Sequence, residues 1–101
     1  MMETINLINP EKLEKAAHIL KTIAHPLRIA IVDLLSKRGK LSVGEITTAL
    51  GSEQSLTSHH LLNMKLKGVL SSQREGQKIL YSLKMEEVTG VLRCMSSCQS
   101  I

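Results

Sequence analysis

Apolar residues recur at spacings of three and four through residues 10–23, where Leu13, Ala16, Ala17, Leu20 and Ile23 form one stripe with Lys and Glu opposite. That spacing predicts an amphipathic helix. Asn9 supplies its N-cap and Pro10 its first position, where a missing N–H costs nothing. A second helix restarts at Pro26. Leu27, Ile29, Ala30, Ile31, Val32, Leu34 and Leu35 occupy nearly all of its sides, which marks it as the central helix, and Lys37-Arg38-Gly39 gives the cations and glycine of a helix stop. Ser42 and Glu45 have capping-box spacing for a short third helix with Val43, Ile46 and Leu50 on one face and Gly51 as its end. Ser52 is then expected to cap a fourth helix that runs to about Lys67 and stops at Gly68. Thr57, His60, Leu61, Met64 and Gly68 share its inward side. Gln54, Ser55, Ser58 and His59 share the outward side.

The period then changes. Val69-Leu70 and Ile79-Leu80-Tyr81 flank a polar turn at Arg74–Gln77 and predict a β-hairpin. Val88, Val91, Leu92 and Met95 return to helical spacing for a last helix, in which Gly90 costs roughly 1 kcal/mol relative to Ala. No internal repeat or low-complexity segment interrupts this order. The expected fold is mostly α with a small β-hairpin, in the order α-α-α-α-β-β-α. A short helix, a glycine turn and a longer helix followed by a hairpin is the outline of a winged helix-turn-helix.

Composition sharpens the picture. A chain of 101 residues is expected to be one domain over residues 1–101. With Tyr81 as its one aromatic residue, the core must be built from Leu, Ile, Val, Met and Ala, and so small a core gains from pairing with a second copy. The net charge of +4 favours an anionic partner. Cys94 and Cys98 are too few and too close for a secreted disulfide framework, so the expected compartment is reducing. The first fifteen residues lack a basic segment followed by an apolar run, and no stretch nears the ~20 apolar residues of a membrane span, so a cytoplasmic protein is expected.

The outward side of the fourth helix carries the candidate chemistry. Gln54 can pair with adenine through two hydrogen bonds, while Ser55, Ser58 and His59 can bond phosphate or base acceptors. The positive end of the helix dipole would favour a nearby phosphate. Arg74 and Lys78 on the hairpin, with Arg38, Lys65 and Lys67, would neutralise backbone charge. A metal site at His59-His60 is not expected, because helix neighbours diverge by about 100° and the i+4 positions are Asn63 and Met64. His60 is instead expected at the core edge, donating to a backbone carbonyl. Nor is an enzyme expected: no glycine-rich phosphate loop and no convergent acid–base set is present, and no cofactor is implied. Cys94 and Cys98, four apart, would share one flank of the last helix. Their plain reading is Cys94 packed as a small apolar residue and Cys98 in a tail; the functional alternative is a thiol sensor for a soft metal, a metalloid or an oxidant.

The stretches "LKTIAHPLRIAIVDLL", "SVGEITTALGSEQSLTSHHL" and "REGQKILYSL" resemble, in order and spacing, the signature stretches of the ArsR/SmtB family of winged-helix repressors. The resemblance covers roughly residues 15 to 98. It implies a homodimer built from the first and last helices, a palindromic operator in double-stranded DNA, and repression relieved by a metal, metalloid or redox effector. Some positions depart from the family pattern. Ser42 and Gly44 stand where some members carry C-x-C, so that sensing site is absent; Met85, Glu87 and Cys98 stand where members that bind zinc through the last helix carry Asp and His, so no such zinc site is expected. His25 replaces a frequent Asp cap, and Leu62 replaces a frequent Lys, so no DNA contact is expected at Leu62. The alternative from another class is a winged-helix protein-interaction module that does not bind DNA.

Overall fold

The computed structural model describes residues 7–99. Its elements in chain order are α1 (Pro10–Thr22), α2 (Pro26–Arg38), β1 (Leu41–Ser42), α3 (Val43–Leu50), α4 (Gln54–Leu66), β2 (Leu70–Glu75), β3 (Lys78–Leu83) and α5 (Glu87–Ser96). The expected order is therefore present, with one strand added. β1 is two residues long, too short to leave a pattern in the sequence, and pairs antiparallel with β3 at Leu41↔Tyr81 and Ser42↔Leu80. The sheet order β1-β3-β2 ties the start of α3 directly to the hairpin.

Caps set the helix starts. Asn9 Oδ1 accepts from Glu11 N at 2.7 Å, and His25 Nδ1 accepts from Leu27 N at 3.1 Å, so His25 does the work of an Asp cap with a ring nitrogen. Ser42 and Glu45 form the full capping box. The bonds to Ser42 hold the Glu45 carboxyl below the usual range. The hairpin closes differently from its expected turn: Arg74 and Glu75 lie in β2, and the loop is only Gly76-Gln77, with Glu75 opposite Lys78. Gly76 has φ 65° and Gln77 does not have positive φ, the pattern of a type II′ loop, whose twist matches the strands.

The core joins α2, α3, α4, the sheet and α5 through Ile31, Val32, Leu35, Ile46, Leu61, Met64, Val69, Leu70, Val88 and Leu92. Helix α2 is central, with Ile31 and Val32 fully buried. Helix α1 is different. Ile19, Thr22 and Ile23 face the core, whereas Leu13 and Leu20, from the stripe that predicted the helix, are 51% and 52% exposed. The apolar stripe of α1 is thus left largely unburied by this chain.

Candidate nucleic-acid interface

Helix α4 is fixed by its inward side. Thr57, Leu61 and Met64 are fully buried and His60 is 6% exposed. Ser52 does not cap the helix. Thr57 Oγ1 donates to the Glu53 carbonyl at 2.8 Å, so the 2.7 Å contact between hydroxyls has Ser52 donating to Thr57, and Ser52 pins the inter-helix turn to the buried side. The N-cap is Glu53, whose carboxylate accepts from Ser55 N at 2.8 Å and Leu56 N at 3.1 Å. Those bonds hold its pKa below the ordinary carboxylate value. This corrects the expected phosphate seat: the second and third amides of the helix already serve an acid that would repel a phosphate there.

A second correction concerns His60. Its Nδ1 accepts from Arg28 Nε at 2.8 Å rather than donating to a carbonyl. Arg28 also donates from Nη1 to the Thr22 carbonyl at 2.8 Å, so one guanidinium joins the end of α1, the start of α2 and the middle of α4. With Nδ1 accepting, the neutral ring carries its proton on Nε2, which is buried and finds no hydrogen-bond partner among the described residues. The His25 ring lies 4.5 Å away and the His59 ring 5.9 Å. Burial, then the charge of Arg28, then His25 and His59, push the His60 pKa below its ordinary value.

The outward residues are displayed as expected. Gln54, Ser55 and His59 are exposed and Ser58 is half-buried at the shoulder of the helix. Leu62, not expected to touch DNA, sits 49% exposed on the same face. Arg74 and Lys78 are exposed near the tip of the hairpin. Glu75 between them is countered by Lys40 at 3.6 Å, and Lys40 Nζ also donates to Gln73 at 3.3 Å, so the acid at the tip is neutralised while Arg74 and Lys78 enter no ion pair among the described residues. A shallow hollow between the hairpin and α3 is lined by Arg38, Ser42, Glu45, Thr48 and Lys78, so one acid stands among its cations. Helix α4 packs against β2, the first strand of the hairpin that carries Arg74 and Lys78. Lys65 is exposed on the last turns of the helix and Lys67 just beyond it. The Lys67 carbonyl accepts from His18 Nε2 at 2.7 Å, which fastens α1 to the end of α4.

The thiols do not share a helical flank. Helix α5 ends at Ser96, so Cys94 lies within it and Cys98 beyond it, and both are exposed; Cys94 does not pack into the core. Among the described residues no group of three His, Cys, Asp or Glu side chains is placed to hold a metal ion.

Comparison with known proteins gives this geometry a context. Residues 25–72 match the family model described as bacterial regulatory protein, arsR family. The chain is 40% identical over 84 residues to the HTH-type transcriptional regulator YgaV of Escherichia coli (strain K12), covering 83% of this chain and 85% of that one. It is 40% identical over 87 residues to the transcriptional repressor PagR of Bacillus anthracis, covering 86% and 87%. The PagR crystal structure superposes with a TM-score of 0.77 at 39% identity, over 86% of this chain and 99% of that one. A solution structure of the homodimeric winged helix-turn-helix DNA-binding domain of Mb0332 from Mycobacterium bovis, a possible ArsR-family transcriptional regulator, superposes at 0.70 with 27% identity over 94% and 87%. Two relatives at this identity across more than four-fifths of the sequence, on the same fold, establish that the chain belongs to the arsR family of bacterial regulatory proteins.

Proposed function

We propose that this protein is a homodimeric transcriptional repressor that binds a palindromic operator in double-stranded DNA, with Gln54, Ser55, Ser58 and His59 in the major groove and Arg74 and Lys78 on the backbone. The observation that carries the reading is the helix α4 itself. Its buried side packs it on α2 and α3, which leaves Gln54, Ser55 and His59 exposed, while Arg74 and Lys78 are exposed on the hairpin with no ion pair among the described residues, as groove entry requires. Relatives named as repressors support the regulatory role, and the homodimeric Mb0332 domain supports pairing. No helix of the described residues is long and apolar enough to cross a membrane, which agrees with a cytoplasmic regulator. The whole of residues 1–101 serves as one DNA-binding domain, with Cys94 and Cys98 the thiols exposed to an effector.

The test is binding to a duplex selected from a random pool. Affinity is expected to fall steeply with salt, as counterion release demands. Gln54→Ala is expected to relax base preference at one position per half-site, whereas Lys78→Ala weakens binding to every sequence alike and lowers the salt slope by about 1 for each half-site. Retention of no duplex by the wild-type protein overturns the proposal; equal losses on every sequence from both changes remove Gln54 from base reading.

A further inference from the structure

The face of α4 that points away from the core is not uniformly polar. Successive helical residues turn by about 100°, so Ser55, His59, Leu62 and Leu66 fall within about 60° of one another, and all four are exposed. Opposite them lie the buried Thr57, His60, Leu61 and Met64. Gln54 and the half-buried Ser58 occupy one shoulder. Leu62 is thus nearer the centre of the outward face than Gln54 is. Ser55, Ser58, His59 and Leu62 also have the i, i+3, i+4, i+7 spacing with which a homeodomain helix reads its groove.

An exposed leucine is ordinary on a protein surface, and exposure alone assigns nothing. Position and chemistry assign more. A side chain without donors or acceptors cannot hydrogen-bond a base edge or a phosphate. The one apolar group on the floor of the major groove is the C5 methyl of thymine. Leu66, 76% exposed, lies about 6 Å further along the axis and away from the end that leads into the groove. Leu62 therefore has one ligand chemistry open to it once the helix is docked.

We infer that Leu62 is a specificity-determining residue that packs on a thymine methyl group in each half-site. This rests on the DNA-binding reading above and adds a base preference to it. The selected duplex supplies the probe: each thymidine is replaced in turn by deoxyuridine, which removes the methyl and leaves every hydrogen-bonding group in place. Burial of one methyl predicts about a fourfold loss of wild-type affinity per half-site at the contacted position. In Leu62→Ala that position becomes insensitive to the replacement, while binding and salt dependence persist; Leu62→Met, which keeps an apolar tip, retains the sensitivity. Circular dichroism and thermal unfolding confirm that both variants fold. Wild-type binding that is indifferent to deoxyuridine at every position, or equally sensitive in Leu62→Ala, overturns the inference and leaves the DNA-binding reading intact. Failure of the wild-type protein to retain any duplex overturns both, and would turn attention to a protein partner for this face.

Discussion

His60 shows how one side chain can carry a constraint that its residue type does not announce. Its ring is buried on the inward side of α4, its Nδ1 is committed to Arg28, and its Nε2–H has no acceptor among the described residues. Protonation would place a hydrogen on Nδ1 against the Arg28 Nε–H, replacing a bond with a repulsion, beside the rings of His25 and His59. The folded pKa is below the ordinary value of 6.5, so the unfolded chain takes up the proton first. The stability tied to neutral His60 is complete above pH 6.5 and is lost as pH falls from there toward the lowered folded value. Thermal unfolding should therefore show a melting temperature that declines as pH falls below about 6.5, and His60→Asn, which keeps an acceptor for Arg28 but does not titrate, should show a shallower decline. Equal declines in the two proteins would remove His60 as the cause. Glu53 makes the converse point at the same scale. The pattern Ser52-Glu53 offers two capping side chains, and the carboxylate takes the position because Ser52 is drawn to Thr57. Nothing in the spacing of the sequence distinguishes those outcomes, since both depend on where the buried Thr57 hydroxyl points.

At the scale of elements, helices with strong local signals were legible and contacts between elements were not. Asn9-Pro10, the Ser42–Glu45 box and Gly51, with its left-handed φ of 63°, set boundaries through chemistry within a few residues. The inward side of α4 followed from periodicity alone. The strand β1 exists only because β3 lies alongside it, and two residues leave no period to detect. The same holds for the Arg28 bridge, whose partners Thr22 and His60 are six and thirty-two residues away. That bridge, together with the His18–Lys67 bond and the shared core, ties α1, α2 and α4 to one another. Removing it in Arg28→Ala leaves the Thr22 carbonyl and the His60 Nδ1 without their donor in a half-buried setting, at an expected cost of about 1–3 kcal/mol. Arg28→Lys should recover little, because one ammonium cannot reproduce two donors from a rigid plane. Urea unfolding of the three proteins measures both effects, and a loss below about 0.5 kcal/mol in Arg28→Ala, the range of an ordinary surface change, would show the bridge to be incidental.

For the whole molecule, the decisive feature is the unburied side of α1. Leu13 and Leu20 are half-exposed, and Leu20 borders a groove with Ala16, Ile19 and Val91 between α1 and α5. The Lys15–Glu87 ion pair crosses the same two helices and holds the Glu87 carboxyl below its usual range, but an exposed pair of this kind contributes little to stability. It spans the groove that Leu20 and Val91 line between the two helices. The sequence periodicity located the stripe of α1 correctly and could not say whether this chain or a second one covers it; the fold leaves it open. In the proposed dimer the stripes of two copies cover each other, and that pairing also sets the distance between the two α4 helices, so affinity for a palindrome depends on residues far from DNA. Leu20→Glu places a charge in that contact while touching no part of α4 or the hairpin. Sedimentation should show this variant as a monomer with unchanged helical content. Its affinity for the selected duplex should fall by at least about a hundredfold, because each half-site must then be bound without the second, whereas its affinity for a single half-site should equal that of one wild-type subunit. A Leu20→Glu protein that remains dimeric and binds the palindrome as tightly as before would move the interface elsewhere and detach α1 from the reading of DNA.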